Sequence, residues 1–359
     1  MIESRKVSAD GRVTYDKGFT RPGKFVTNGP YRLASWEFKR RLHLEASKFY
    51  RDPSLVRPQT VDIVSADDPM WALTIYDTGG VDWLTDMTGE LARELLDKGR
   101  KDVHVFPAFG TYFYSFNCQE KLPDGSPNPF RDKRVRQAFS LAVNKKEIVD
   151  TVTRLGEPVA SQYIPPYAFE KYPSPQGLKG DVNRAKALLA EAGYGPDGKP
   201  FPQFSLLYNN ESQHGPIAQL IRRQWLNTLG IDVRLEGIEI KTFRERQKKK
   251  DYVMCRSSWY GDYNDPSTFT DKYKSDSGQN EAGWKNAEYD RLCAEADRDP
   301  DPQHRLQLFS QAEKILLEEA PILPLYHYMN VYLFKDEKIP NMLMHSHNHV
   351  VIQSLNVRP

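Results

Sequence analysis

The sequence predicts an α/β protein of two lobes, and three observations carry that prediction. The chain has 359 residues, too many for one small core. Residues 204–209 form a β-run, Pro216 opens a helix that Gly230 closes, and 231–235 alternate as a second strand. That is a βαβ unit, which implies parallel strands joined by a right-handed crossover. Strand-like runs also gather towards both ends, at 31–46 and 323–334.

Taken in order, residues 1–24 are polar and unpatterned. Residues 31–36 and 41–46 alternate about a short polar turn and predict a hairpin, with a further strand at 61–64. A helix is expected over 69–78, with Trp71 and Ile75 inward and Gly79 and Gly80 ending it. Residues 81–84 read as a short strand and 89–98 as a helix closed by Gly99. Two strands follow at 103–106 and 112–116, then a turn-rich loop at 122–129 that is the best boundary signal in the chain. Val135, Ala138, Phe139 and Ala142 recur at helical spacing, and Asn144 with Glu147 makes a capping-box-like start for the next helix, stopped by Gly156. Beyond the βαβ unit, 240–250 read as a helix and 252–255 as a third strand. Asp301 caps a helix from Pro302 to about Glu319, and 323–328 and 330–334 are strands.

Composition sets outer limits. Hydrophobic residues are 39%, charged residues 27% and aromatics 12%, with a mean hydropathy of −0.66. Such a balance describes a soluble globular protein. The net charge of +2, from 50 basic and 48 acidic residues, gives no general field for nucleic acid or anionic lipid. The basic run at 244–250 reads as a solvated helix face. Three cysteines, Cys118, Cys255 and Cys293, form no C-x-x-C pair and are expected as buried thiols. No apolar run approaches the roughly 18 residues of a membrane span. The first residues lack a signal-peptide core, so the protein is either cytoplasmic or begins after the export signal of a longer chain.

No catalytic signature is present. Gly193, Gly195 and Gly198 imitate a dinucleotide fingerprint but follow a helix and enclose Pro196, so a helix cap and loop is expected, and no cofactor. His345, His347 and His349 would share one face of a strand, which suggests a metal. Same-face neighbours lie nearly 7 Å apart along a strand, awkward for one ion, so a polar strand or loop is the other reading.

Residues 256–266 stand at the end of the third strand, and Asn209 and His214 just past the first. Ligands of open α/β sheets bind beyond the carboxyl ends of strands. Asp262, Arg256, His214 and the aromatic Trp259 and Tyr260 would meet there and suit a zwitterion. A loop of capping residues and surface pairs is the plainer alternative.

The residues also carry a resemblance. The segments 26–31 (VTNGPY), 129–138 (PFRDKRVRQA), 188–194 (LLAEAGY) and 259–266 (WYGDYNDP) occur in the order found in the peptide-type (family 5) solute-binding proteins of ABC importers. The chain resembles their C-terminal part. The resemblance implies a periplasmic-binding-protein-like (class II type) two-lobe α/β fold whose first lobe is incomplete, with a signal peptide and an N-terminal part lying elsewhere. It divides the chain into the polar segment 1–24, the rest of lobe I at 25–116, lobe II at 117–325 and a return to lobe I at 326–359, hinged near 112–117 and 323–328. The implied function is capture of oligopeptides outside the cytoplasm for ABC permease subunits, without catalysis.

By the same resemblance Asp262 would hold the peptide ammonium, and Arg256 or His214 would be cations for its carboxylate. Asn209 would line the pocket. Tyr260 stands where a smaller residue can occur, and Ile240 and Gln247 stand where oligopeptide binders have an aromatic and a basic residue. His345, His347 and His349 match no family motif, and nickel-type relatives make a metal-chelate ligand the alternative. A hydrolase using His214 and Asp262 is a further alternative, but it would need an activated nucleophile that the sequence does not nominate.

Overall fold

Cap and turn chemistry sets where the elements begin and end. The structure, a computed structural model, describes residues 5–15, 18–85, 87–195 and 198–358. It forms two units, Met1–Phe106 with Val331–Pro359, and Pro107–Asn330.

In the first unit, β1 (Arg5–Val7) and β2 (Val13–Tyr15) pair antiparallel. The expected hairpin is β3 (Tyr31–Glu37) and β4 (Arg41–Ala46), and β5 (Thr60–Val64) extends it to a three-stranded meander. Helix α1 (Pro69–Asp77) starts where the Asp68 carboxylate accepts the Trp71 amide at 2.7 Å. Trp71 is exposed, while Ala72, Leu73 and Tyr76 form the buried face, so the inward stripe lies one step from the one the sequence suggested. The short strand β6 (Trp83–Leu84) precedes α2 (Gly89–Asp97), which Thr88 caps.

Strand β7 (Val103–Phe116) is continuous where the sequence suggested two strands. Pro107 does not break it, and Gly110 sits inside its ladder with a neighbouring strand. Its last ten residues belong to the second unit. There follow α3 (Lys133–Leu141), α4 (Lys145–Ile148), α5 (Val182–Glu191), β8 (Ser205–Asn209) and α6 (His214–Leu229). Then come β9 (Arg234–Ile238), α7 (Ile240–Lys248), β10 (Met254–Tyr260), α8 (Ser267–Thr270) and α9 (Ala287–Ala296). The chain continues through α10 (Pro302–Glu319) into β11 (Ile322–Phe334), one strand in place of the expected pair, whose last four residues belong to the first unit. There Leu333 and Phe334 pair with β6.

The second unit holds the predicted βαβ topology. Strands β10, β8 and β9 run parallel, and β10 pairs antiparallel with β7 on its other side. Strand order is β11-β7-β10-β8-β9. Because strand side chains alternate, Tyr112, Tyr114 and Phe116 enter one core with α3, α5 and α6, while Phe109 and Phe113 enter another with α9 and α10. Trp225 is fully buried in the first core, and its indole N–H donates to the Phe139 carbonyl at 3.0 Å. Burial of a side chain that size contributes roughly 2–3 kcal/mol, provided its polar atom is satisfied. Helix α10 carries a buried carboxylate, Glu313, which accepts the Tyr163 amide at 2.8 Å, the Ile164 amide at 2.7 Å and the Tyr172 hydroxyl at 2.7 Å.

Candidate functional site

The carboxyl ends of the parallel strands bring part of the expected set together. Strand β8 ends at Asn209, β10 ends at Tyr260, and α6 begins at His214. Arg256 lies within β10 and not past its end, because the ladder with β7 holds Met254 to Tyr260 extended. Alternation then sorts the strand. Arg256, Ser258 and Tyr260 share the face of Tyr114, Tyr112 and Gly110, their partners on β7.

Arg256 is the centre of that face. Its Nη2 donates to the Tyr328 hydroxyl at 3.1 Å, and its guanidinium carbon lies 5.2 Å from the centroid of Tyr112. The Nε atom is buried without a hydrogen-bond partner. Among the described residues no carboxylate pairs with this cation. Tyr112 is fully buried, stacks on Tyr326 at 4.8 Å and 10°, and places its hydroxyl 3.2 Å from Nδ1 of His214. Tyr260 is half exposed and stacks on Tyr328 at 4.7 Å and 21°. The Tyr114 hydroxyl is a second buried polar atom without a partner.

Burial, and then the charge of Arg256, push the His214 imidazole down to about 3. It is neutral at neutral pH, where the resemblance implied a cation. Asn209 is buried, donates from Nδ2 to Glu211 at 3.2 Å, and leaves Oδ1 without a partner. Asp262 is exposed on the loop after β10, where its main-chain N–H donates to the Thr268 hydroxyl at 2.9 Å. Neither Asn209 nor Asp262 bonds to Arg256 or His214 in this structure.

Trp259 is not brought to this face. It points to the opposite side of β10, donates from its indole nitrogen to the Thr268 carbonyl at 2.7 Å, and carries the Lys272 ammonium 4.9 Å from its ring centroid. Gln247 donates to Ser257 at 3.2 Å, also on that side, and Ile240 packs against the cluster of Leu207, Phe243, Tyr252 and Cys255.

Sequence reasoning missed Tyr112, Tyr114, Tyr326 and Tyr328. Their signal is present as two i, i+2 tyrosine pairs on strands, but only the placing of β7 between β11 and β10 shows that they surround an arginine.

The histidine triplet lies in the first unit, in a turn and not a strand. Asn348 has φ +56° and accepts the Tyr332 hydroxyl. The rings of His345 and His347 are 4.9 Å apart, and those of His347 and His349 6.0 Å. Among the described residues no group of His, Cys, Asp or Glu is arranged to hold a metal ion. The loop read at 193–198 follows α5, with Gly193 at φ +87°; Pro196 and Asp197 lie outside the described residues.

A sheet with parallel strands ending at this polar, aromatic edge, covered by helices on both faces, is a periplasmic-binding-protein-like α/β fold. The chain belongs to the bacterial extracellular solute-binding proteins, family 5, whose model matches residues 6–281. It is 31% identical to the dipeptide-binding protein DppE of Bacillus subtilis over 339 residues, covering 92% of this chain and 60% of that protein. It is 33% identical to the periplasmic oligopeptide-binding protein OppA of Salmonella typhimurium, covering 88% and 58%. Among solved structures, the unliganded open form of the periplasmic murein tripeptide-binding protein MppA matches with a TM-score of 0.77 and 30% identity, over 95% of this chain and 66% of that one. The chain thus spans about 60% of the length of the curated relatives it matches. No helix among the described residues is long and apolar enough to cross a membrane.

Proposed function

We propose that this chain captures peptides as the solute-binding component of an ABC importer, acting outside the cytoplasmic membrane and passing its ligand to permease subunits. The relatives named above for peptides support the ligand class. The observation that carries the reading within this chain is Arg256. A largely buried guanidinium without a counter-charge is costly, and a peptide carboxylate would offset that cost through charge-assisted hydrogen bonds. The orphaned Nε and the nearby Tyr114 hydroxyl are donors suited to it. Asp262, exposed and beyond the end of the same strand, is the partner for the peptide ammonium. A hydrolase is not favoured: His214 bonds to Tyr112, and no serine, threonine or cysteine among the described residues bonds to it.

Calorimetry tests the reading with alanine peptides of three to five residues, each also as its C-terminal amide and its N-acetyl form. Free peptides should bind most tightly, and Arg256→Ala should erase the preference for acid over amide. Equal binding of acid and amide by the unaltered protein would overturn the role of Arg256.

A further inference from the structure

Charge is unevenly placed along this chain. Residues 234–250 hold seven basic and three acidic side chains, a net charge of +4 that exceeds the +2 of the whole protein. Five of the basic residues, Arg234, Lys241, Arg244, Lys248 and Lys249, are exposed, and none forms an ion pair with a described residue. We infer that the outer face of α7, with Arg234 of β9 beside it, is an electrostatic docking surface for an anionic phospholipid bilayer. The inference goes beyond the peptide reading and takes from it only a location outside the cytoplasmic membrane.

Helical spacing builds this surface. Lys241, Arg244, Glu245 and Lys248 stand at i, i+3, i+4 and i+7 of α7 and share its exposed side. Phe243 faces the other way, into the cluster of Leu207, Tyr252 and Cys255, with Ile240 packed against it. Strand β9 is the last of its sheet, and alternation puts Arg234 on the side of Glu236, which accepts from Arg246 of α7. Arg246 is matched by Glu236 and by Asp251 at 3.2 Å, and adds nothing to the surface. Helix stability does not account for the remaining charges. Lys248 and Lys249 suit the negative end of the helix dipole, but Lys241 stands in the first turn, where a cation is disfavoured. Glu245 lies four residues from both Lys241 and Lys249 and forms an ion pair with neither.

The lack of apolar anchors selects the partner. No large hydrophobic side chain between Leu226 and Tyr260 is exposed. Protein interfaces draw their affinity from buried aromatic and guanidinium anchors, and single-stranded nucleic acid draws on stacked rings. This surface offers neither pocket nor ring. A plane of phosphate headgroups needs no such fit, and long, flexible lysine side chains adapt to it. The same lack excludes insertion among acyl chains, so contact stays at headgroup level and weakens with salt. Each lysine or arginine near such a surface raises affinity by about five-fold.

Co-sedimentation of the purified 359-residue protein with vesicles is the test. The vesicles are phosphatidylcholine alone or with about 30% phosphatidylglycerol, at about 50 and about 300 mM salt. The parent should bind anionic vesicles at low salt, release them at high salt and ignore neutral ones. Lys241→Glu with Lys248→Glu should abolish binding, and Lys241→Gln with Lys248→Gln should weaken it about 25-fold. Lys179→Glu with Lys186→Glu changes the net charge equally, but on and just before α5, across the sheet from α7. That control should bind within about two-fold of the parent. Thermal unfolding identifies any variant that fails to fold, and the glutamine pair then decides alone. No binding to anionic vesicles, equal binding to neutral ones, or an equal loss in the α5 control would overturn the inference. Retention on immobilised poly-glutamate without vesicle binding would overturn it too, and give the surface to an acidic protein. No peptide enters these measurements, so their failure leaves the peptide reading to its own calorimetry.

Discussion

Gly110 lies directly opposite Tyr260 across the β7–β10 ladder, and the Tyr260 ring occupies the space that a side chain at 110 would need. A Cβ built at Gly110 would stand 2.6 Å from Cδ1 of that ring. Gly110→Ala must therefore displace Tyr260 from its stack on Tyr328. The expected cost is about 1–3 kcal/mol, the range for overpacking. Denaturant unfolding should show that loss in Gly110→Ala and its relief in the double variant with Tyr260→Ala. A Gly110→Ala protein as stable as the parent would contradict the contact.

Asp262 carries the proposed ammonium subsite. Asp262→Asn should weaken free peptides by about ten-fold or more and leave N-acetylated peptides unchanged, since only the charged pairing is removed. Calorimetry at low and at physiological salt should show the difference shrinking with salt, because the carboxylate is exposed.

Glu313 should tie stability to pH. Burial raises its carboxyl to about 7, against the lowering effect of three hydrogen bonds. The folded state then holds a proton that the unfolded state releases at its ordinary value of 4.5. This contribution is fully present below about 4.5 and is lost as pH rises through 7, up to about 3 kcal/mol. Glu313→Gln should flatten the unfolding free energy between pH 5 and 8 relative to the parent, and parallel profiles would count against it.

His327 should act in the opposite sense. The Thr111 hydroxyl donates to the Tyr163 carbonyl at 2.7 Å, so at 2.8 Å it must accept from Nδ1–H of His327. Nε2 is then a buried lone pair without a partner. Burial, and then Lys145, push this imidazole down to about 3. Its contribution is present above the ordinary value of 6.5 and is lost as pH falls towards 3. His327→Asn should lower the pH midpoint of acid unfolding, as followed by circular dichroism, and an unchanged midpoint would exclude the role.

Caps, periodicity and the βαβ order were legible because each is local. Asn144 and Asp301 cap the helices they announce, and Gly230 closes α6 with φ +71°. The continuity of β7 through Pro107 was hidden, since single-residue preferences disfavour it, and the ladder that holds Gly110 to Phe116 comes from β10, far off in sequence. The same non-local pairing decided the site. Arg256, Tyr260 and Asp262 could be nominated from a segment, but strand alternation moved Trp259 to the far face. Tyr112, Tyr326 and Tyr328 lie far from Arg256 in sequence, and no local pattern marks them as its neighbours.

Thr268 is tied to two residues at once: its hydroxyl accepts the Asp262 amide and its carbonyl accepts the Trp259 indole N–H. Whatever shifts the Asp262 loop also pulls on the hydrogen bond of a tryptophan that already lies beneath an ammonium. Indole emission depends on both influences, so Trp259 is a built-in optical probe of the Asp262 loop that stands apart from the face carrying Arg256. The difference spectrum between the parent and Trp259→Phe isolates that signal without any attached dye.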